Sequence, residues 1–212
     1  MTETFTFALL CFTSFFTVIN PLGTMPVFMT MTADLDATHR RNTALRAVAV
    51  AFFTLMLFAF SGQLLFNFFG ISVDSFRVVG GIIFFMMGYE MLQARLSRVE
   101  IDEESVHNYV EDISVTPLGI PMIAGPGAIT NSIILMQDAS TIWLKFVLVG
   151  IVLFVLILSA IVLIAGGQIS KLLGQTGNKI MMRLMGLIIM VMAVEFFFAG
   201  LTPLVRRILQ QT

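Results

Sequence analysis

Apolar positions in this chain gather into long blocks instead of alternating with polar ones. Stretches 5–32, 47–69, 76–94, 116–137, 143–166 and 182–204 are almost free of charge. Each approaches or exceeds the roughly 20 residues that an α-helix needs to cross a hydrocarbon core. Transmembrane β-strands are shorter, about ten residues, and alternate in polarity. The pattern therefore predicts an all-α membrane protein with six transmembrane helices. The longest polar stretch, Arg95 to Ser114, carries Glu100, Asp102, Glu103, Glu104, Glu111 and Asp112. With no room left for a soluble domain, residues 1–212 read as a single membrane domain.

The blocks repeat. Arg77-Val78-Val79-Gly80-Gly81-Ile82-Ile83 and Arg183-Leu184-Met185-Gly186-Leu187-Ile188-Ile189 share Arg, Gly and the Ile pair at identical spacing. Gly23 to Asp34 and Gly127 to Asp138 are both eleven steps, each following a Pro-Gly cluster. The chain thus reads as repeat one, 1–94, a cytoplasmic linker, 95–115, and repeat two, 116–212. Two units of three spans each must face opposite ways across the bilayer, so the prediction is a 3+3 inverted repeat, an arrangement that builds carriers with a midplane site.

Composition agrees with the blocks. Hydrophobic residues make up 58% and charged residues 12%, against about 45–50% and 25% in soluble domains. A net charge of −1 without a basic stripe gives no reason to expect nucleic acid. Cys11 is the only cysteine, which excludes an intrachain disulfide or redox pair. Met1 to Ile19 carries only Glu3 and runs on too long for a cleavable signal, so the first span is expected to be retained. Eight cationic residues (Arg40, Arg41, Arg46, Arg95, Arg98, Lys171, Lys179 and Arg183) fall on one side, and four (Arg77, Lys145, Arg206 and Arg207) on the other. The positive-inside rule then puts both termini on the non-cytoplasmic side of a multi-pass protein.

Helices 1 and 4 are expected to be broken. Asn20-Pro21-Leu22-Gly23-Thr24-Met25-Pro26 interrupts the first, and Pro117 to Pro121 together with Gly125-Pro126-Gly127 the second. Proline removes a donor and clashes with the preceding turn, while glycine permits unusual backbone. Unwound backbone at membrane depth is tolerated only inside the protein or along a wet cavity. Half-helices beginning near Thr24 and Ala128 would bring free N–H groups and partial positive charge to the midplane, which suits an anionic group such as the carboxylate of an amino acid.

With Asn20-Pro21-Leu22-Gly23 and Ile123-Ala124-Gly125-Pro126-Gly127-Ala128-Ile129 in corresponding spans, the chain resembles the MarC family of bacterial and archaeal inner-membrane proteins over essentially its whole length. That resemblance implies a six-helix carrier in the cell inner membrane, related to the lysine-exporter superfamily. Some members of the family are linked to small neutral amino acids.

Glu195 lies twelve residues after Arg183 and eleven before Arg206, about 16–18 Å from either charged end at roughly 1.5 Å per residue. An ionisable group so deep is a functional candidate by default. Glu90 occupies the matching region of span three, closer to its end; both are candidates for coupling to H+ or Na+. Asn20, Thr24, Thr130 and Asn131 flank the breaks and can either bind substrate or cap helices. The candidate substrate-binding set is Asn20, Pro21, Gly23, Thr24, Gly125, Pro126, Gly127, Ala128, Thr130, Asn131 and Glu195. Arg77 and Arg183 read as interfacial anchors, and Gly80, Gly81 and Gly88 as close-packing positions. His39 and His107 have no ligand neighbours, so no metal and no cofactor is expected. Without a nucleotide-binding loop or a protease motif, the expectation is a non-enzymatic secondary transporter for a small zwitterion, with membrane lipid as its surroundings. A channel, an exporter of another small solute, or a structural membrane subunit is the alternative.

Overall fold

The computed structural model describes residues 2–33, 35–93 and 106–210. Among them every regular element is a helix: α1 (Thr2–Ile19), α2 (Pro21–Met31), α3 (Ala37–Phe69), α4 (Val73–Leu92), α5 (Val106–Ile113), an irregular helical segment (Ser114–Ile123), α6 (Pro126–Asp138) and α7 (Ile142–Gln210). Five rods are long and apolar enough to cross a membrane: Glu3–Met31, Ala37–Phe69, Val73–Leu92, Ile142–Gly166 and Lys179–Gln210. A sixth span is available if Asn108–Ile123 and Pro126–Asp138, bent by 60° at their junction, count as one. Large exposed apolar side chains such as Phe53, Phe60, Phe68 and Ile142 stud the outside. That is the surface expected of a chain solvated by lipid, since a soluble monomer rarely shows so much.

Several boundaries differ from the sequence reading. Helix 1 breaks at one residue only. Pro21 disfavours the α region for the residue before it, and Asn20 adopts φ 45°, ψ 67°, which asparagine tolerates better than most. Pro26 sits inside α2, and the two pieces continue as one 29-residue rod. The half-helices begin at Pro21 and Pro126, earlier than Thr24 and Ala128. The C-terminal part of the expected linker is helical as α5 and leads into the broken span; residues 94–105, with most of the acidic cluster, and Asp34 lie outside the described residues. Where a loop was expected between spans five and six, helical backbone runs on except at Gly174, whose φ 64° and ψ −174° belong to a region open essentially to glycine alone.

The two short helices after the breaks form the interior. Buried positions make up seven of eleven residues in α2 and nine of thirteen in α6, but only five of twenty in α4. The α4 rod lies antiparallel on the second part of α7 with glycines at the crossings. A Cβ on Gly88 would stand 2.7 Å from the Gly186 carbonyl oxygen, and one on Gly186 2.7 Å from that of Gly88. Gly81 faces Ala193 and Phe197, and Gly200 faces Asp74 and Arg77. Main chain therefore rests on main chain along this pair, as small residues allow in membranes.

The bundle ends are tied by polar contacts. At one end, Arg40 donates to the carbonyls of Thr32 and Leu35, Tyr109 to that of Met31, and Arg46 pairs with Glu111 at 2.8 Å. Asp36 caps α3, and the His39 backbone N–H that it accepts at 2.7 Å holds its carboxyl below the usual range. At the other end Arg207 reaches the buried Asp74 at 2.6 Å.

Candidate functional site

The two breaks look alike in sequence and behave differently in space. At the first, the Asn20 side chain turns back to accept the Gly23 backbone N–H at 3.1 Å. Any Cβ on Gly23 would overlap Asn20. Pro21 needs no donor partner at the first helical position. The Thr24 hydroxyl lies 3.3 Å from the Ile19 carbonyl oxygen and 3.2 Å from that of Asn20. Asn-Pro-Leu-Gly is thus a self-satisfying helix start. The cavity beside it, bounded by Asn20, Gly23, Thr24, Phe84, Met122 and Met192, has about 30 Å³, room for a water or two.

At the second break, Gly125 is extended ahead of Pro126 and no side chain caps α6. Neighbouring elements hold the turn. Gly80 of α4 makes room for Pro126, Gly125 leaves space that the Phe84 ring approaches, and Gly127 does the same for Phe196. Gly127, Thr130 and Asn131 then open onto a groove of about 340 Å³, whose far wall is Arg77, Glu195 and Phe196. That volume lies within the range of small-molecule sites.

The groove mixes charged and apolar lining, and one buried polar group beside it is unsatisfied. Thr130 is 1% exposed, and among the described residues its hydroxyl has no hydrogen-bond partner. Buried hydroxyls are ordinarily paired, so an orphan marks a site that something else completes. Arg77 stands 3.7 Å from Asp74, which Arg207 already engages at 2.6 Å, so the Arg77 guanidinium is only loosely held. One cation and one carboxylate thus face Thr130 and Asn131 beside a helix start that no side chain caps.

The predicted residues divide accordingly. Gly127, Thr130, Asn131 and Glu195 come together at the groove. Asn20, Gly23 and Thr24 line the small cavity instead. Pro21, Gly125, Pro126 and Ala128 are buried and border neither. Glu90 is exposed on α4 outside both cavities. The sequence reading missed Arg77 as a groove residue, taking it for an anchor. Its counterpart Arg183 is exposed and lines neither cavity. Phe84 and Phe196 were missed as well. A face periodicity was available, because Arg77, Gly81, Phe84 and Gly88 are spaced four, three and four apart, one side of a helix. Gln63 and Asn67 of α3 bond to each other, and Gln63 also accepts from Gln137 of α6 at 2.5 Å.

Residues 5–205 match the model described as MarC family integral membrane protein. The UPF0056 membrane protein PH0760 of Pyrococcus horikoshii is 39% identical over 197 residues, covering 91% of this chain and 93% of its own. The UPF0056 membrane protein YvbG of Bacillus subtilis is 39% identical over 201 residues, covering 93% and 95%. The UPF0056 membrane protein MJ1677 of Methanocaldococcus jannaschii is 34% identical, covering 91% and 95%. No solved structure matches the chain.

Proposed function

This chain belongs to the MarC family of integral membrane proteins, and we propose that it is a secondary transporter for a small zwitterion, most simply a small neutral amino acid, bound in the groove beside α6. The observation that carries this reading is that Arg77 and Glu195 line the same wall of a groove whose other side carries Thr130, with its unpartnered hydroxyl, and Asn131. A zwitterion presents the complementary pair of charges a few ångströms apart. Its carboxylate meets Arg77, the Thr130 hydroxyl and the start of α6, where unpaired N–H groups and the helix dipole favour negative charge. Its ammonium meets Glu195, near the middle of the Lys179–Gln210 rod. Charged groups at such depth mark substrate and ion pathways. Glu195 also serves as the coupling group, for H+ or Na+, in this scheme.

The inverted repeat belongs to the same proposal. Support comes from the reciprocal Gly88–Gly186 crossing, and from α1 lying beside α6 while α2 lies beside Ser114–Ile123. We place the protein in the cytoplasmic membrane with both termini outside, on the cationic asymmetry of its connections.

Purified protein in proteoliposomes, preloaded with individual amino acids, tests the reading under proton and sodium gradients imposed separately. Saturable counterflow of small neutral amino acids, lost in Arg77→Gln and Glu195→Gln, is the expected result. Wild-type vesicles that exchange no amino acid under either gradient, or variants that exchange at the wild-type rate, would overturn it.

A further inference from the structure

Phe84 lines the small cavity at the first break and Phe196 lines the groove at the second. Their rings meet edge to face, with centroids 6.2 Å apart and planes at 63°, a preferred aromatic geometry. Each ring also leans on a glycine of the second break, Phe84 on Gly125 and Phe196 on Gly127, in space that a Cβ would occupy. We propose that this ring pair is the barrier between the groove and the inner cavity, and that ring size at positions 84 and 196 decides what passes. The proposal deepens the transport reading and rests on the groove being part of the solute path.

The arrangement suits a barrier more than a passive core contact. Both rings are only partly buried, and the space on each side of them is a cavity. The walls beyond are unequal: the charged Arg77 and Glu195 with Asn131 on the groove side, and uncharged residues, Met87, Met122, Met192 and Ile189 with Asn20 and Thr24, on the other. A polar solute leaving the groove must displace the rings. The glycines behind them leave no side chain in the way of a rotamer change. Phe85, the next residue, faces a separate apolar cleft with Ile82 and Phe198, which makes it a control of the same chemistry in the same helix.

Thiol labelling tests the barrier without needing a known substrate. In a Cys11→Ala background, Thr24→Cys or Met122→Cys reports from the inner cavity, and methyl methanethiosulfonate, the smallest reagent of its class, is the probe, applied to the full chain in detergent. Labelling is expected to be slow with both rings present and to rise by an order of magnitude or more with Phe84→Ala or Phe196→Ala, while Phe85→Ala leaves it unchanged. Phe84→Leu and Phe196→Leu, which keep the apolar fill, give intermediate rates if either alanine variant fails to fold. Fast labelling with both rings intact, or rates that ignore ring removal, would overturn the barrier. Counterflow measured in parallel separates the two readings: rates that follow ring size in a protein that moves no amino acid leave the barrier standing and remove the transporter.

Discussion

Replacing Thr130 by valine should make the protein more stable and worse at its task. The two side chains have nearly the same shape, so no cavity opens, and the change removes a hydroxyl that is buried and without a partner. Leaving such a group unpaired costs about 1–3 kcal/mol. The substrate-free valine variant should recover much of that, and a chain of this size gains roughly 2–4 °C in Tm for each kcal/mol. With substrate bound the sign reverses. A hydrogen bond to a charged carboxylate contributes about 1.5–3 kcal/mol, so its loss should weaken affinity roughly ten- to hundredfold. The assay is thermal unfolding in detergent with and without each amino acid that shows counterflow. Thr130→Val should melt higher than wild type when empty, and ligand should raise its Tm less. A variant that melts lower when empty, or that keeps wild-type affinity, would refute the assignment of this hydroxyl to substrate.

Glu195→Gln should abolish counterflow, whereas Glu90→Gln should leave counterflow and its dependence on the imposed ion gradient at wild-type level; proteoliposome uptake at several pH values distinguishes them. Gly88→Ala and Gly186→Ala each drive a methyl group toward a carbonyl oxygen at 2.7 Å, an overpacking cost of about 1–3 kcal/mol that outweighs the roughly 0.5–1 kcal/mol gained in helix propensity; both should lower Tm. Asn20→Ala loses the cap, about 1 kcal/mol, and forces alanine to φ 45°, while Asn20→Gly keeps the backbone and should cost only a few tenths of a kcal/mol; paired Tm measurements read the difference. The Asp36 carboxyl should titrate below 3.8 by NMR. Its capping contribution is therefore full above its unfolded value and declines as pH falls through the lower folded one.

Element type and the location of the breaks were legible because they rest on local chemistry. Long apolar blocks have few alternatives to helices in lipid, and the Pro-Gly clusters mark the interruptions, although the new helices start at Pro21 and Pro126, three and two residues before the expected Thr24 and Ala128. That Glu195 stands near the middle of one long rod was legible for a similar reason, since it follows from distance along the sequence. What lay hidden depends on which faces meet. Arg77 opens its helix and so looks like an anchor; only the antiparallel seating of α4 on α7 brings it beside Ala199 and Glu195. Phe84 and Phe196 were two among 21 phenylalanines, and nothing in one dimension marks a ring that abuts a glycine from another helix. The two breaks also seemed equivalent as strings. Asn20 supplies a cap from within the motif, whereas Gly125 has no side chain to offer, and that single difference closes one turn and leaves the other open.

The glycine seam between α4 and α7 has a mechanical corollary. Where main chains touch at Gly81, Gly88, Gly186 and Gly200, there is little slack for one helix to slide on the other, so the two travel together. Arg77 and Phe84 belong to the first of these partners, Glu195 and Phe196 to the second. Both charges and both rings therefore ride on one stiff plank, with α6 as the opposite bank. If solute passes as proposed, opening the cleft would be a matter of how far that plank tilts from α6, with the spacing between cation and carboxylate unchanged.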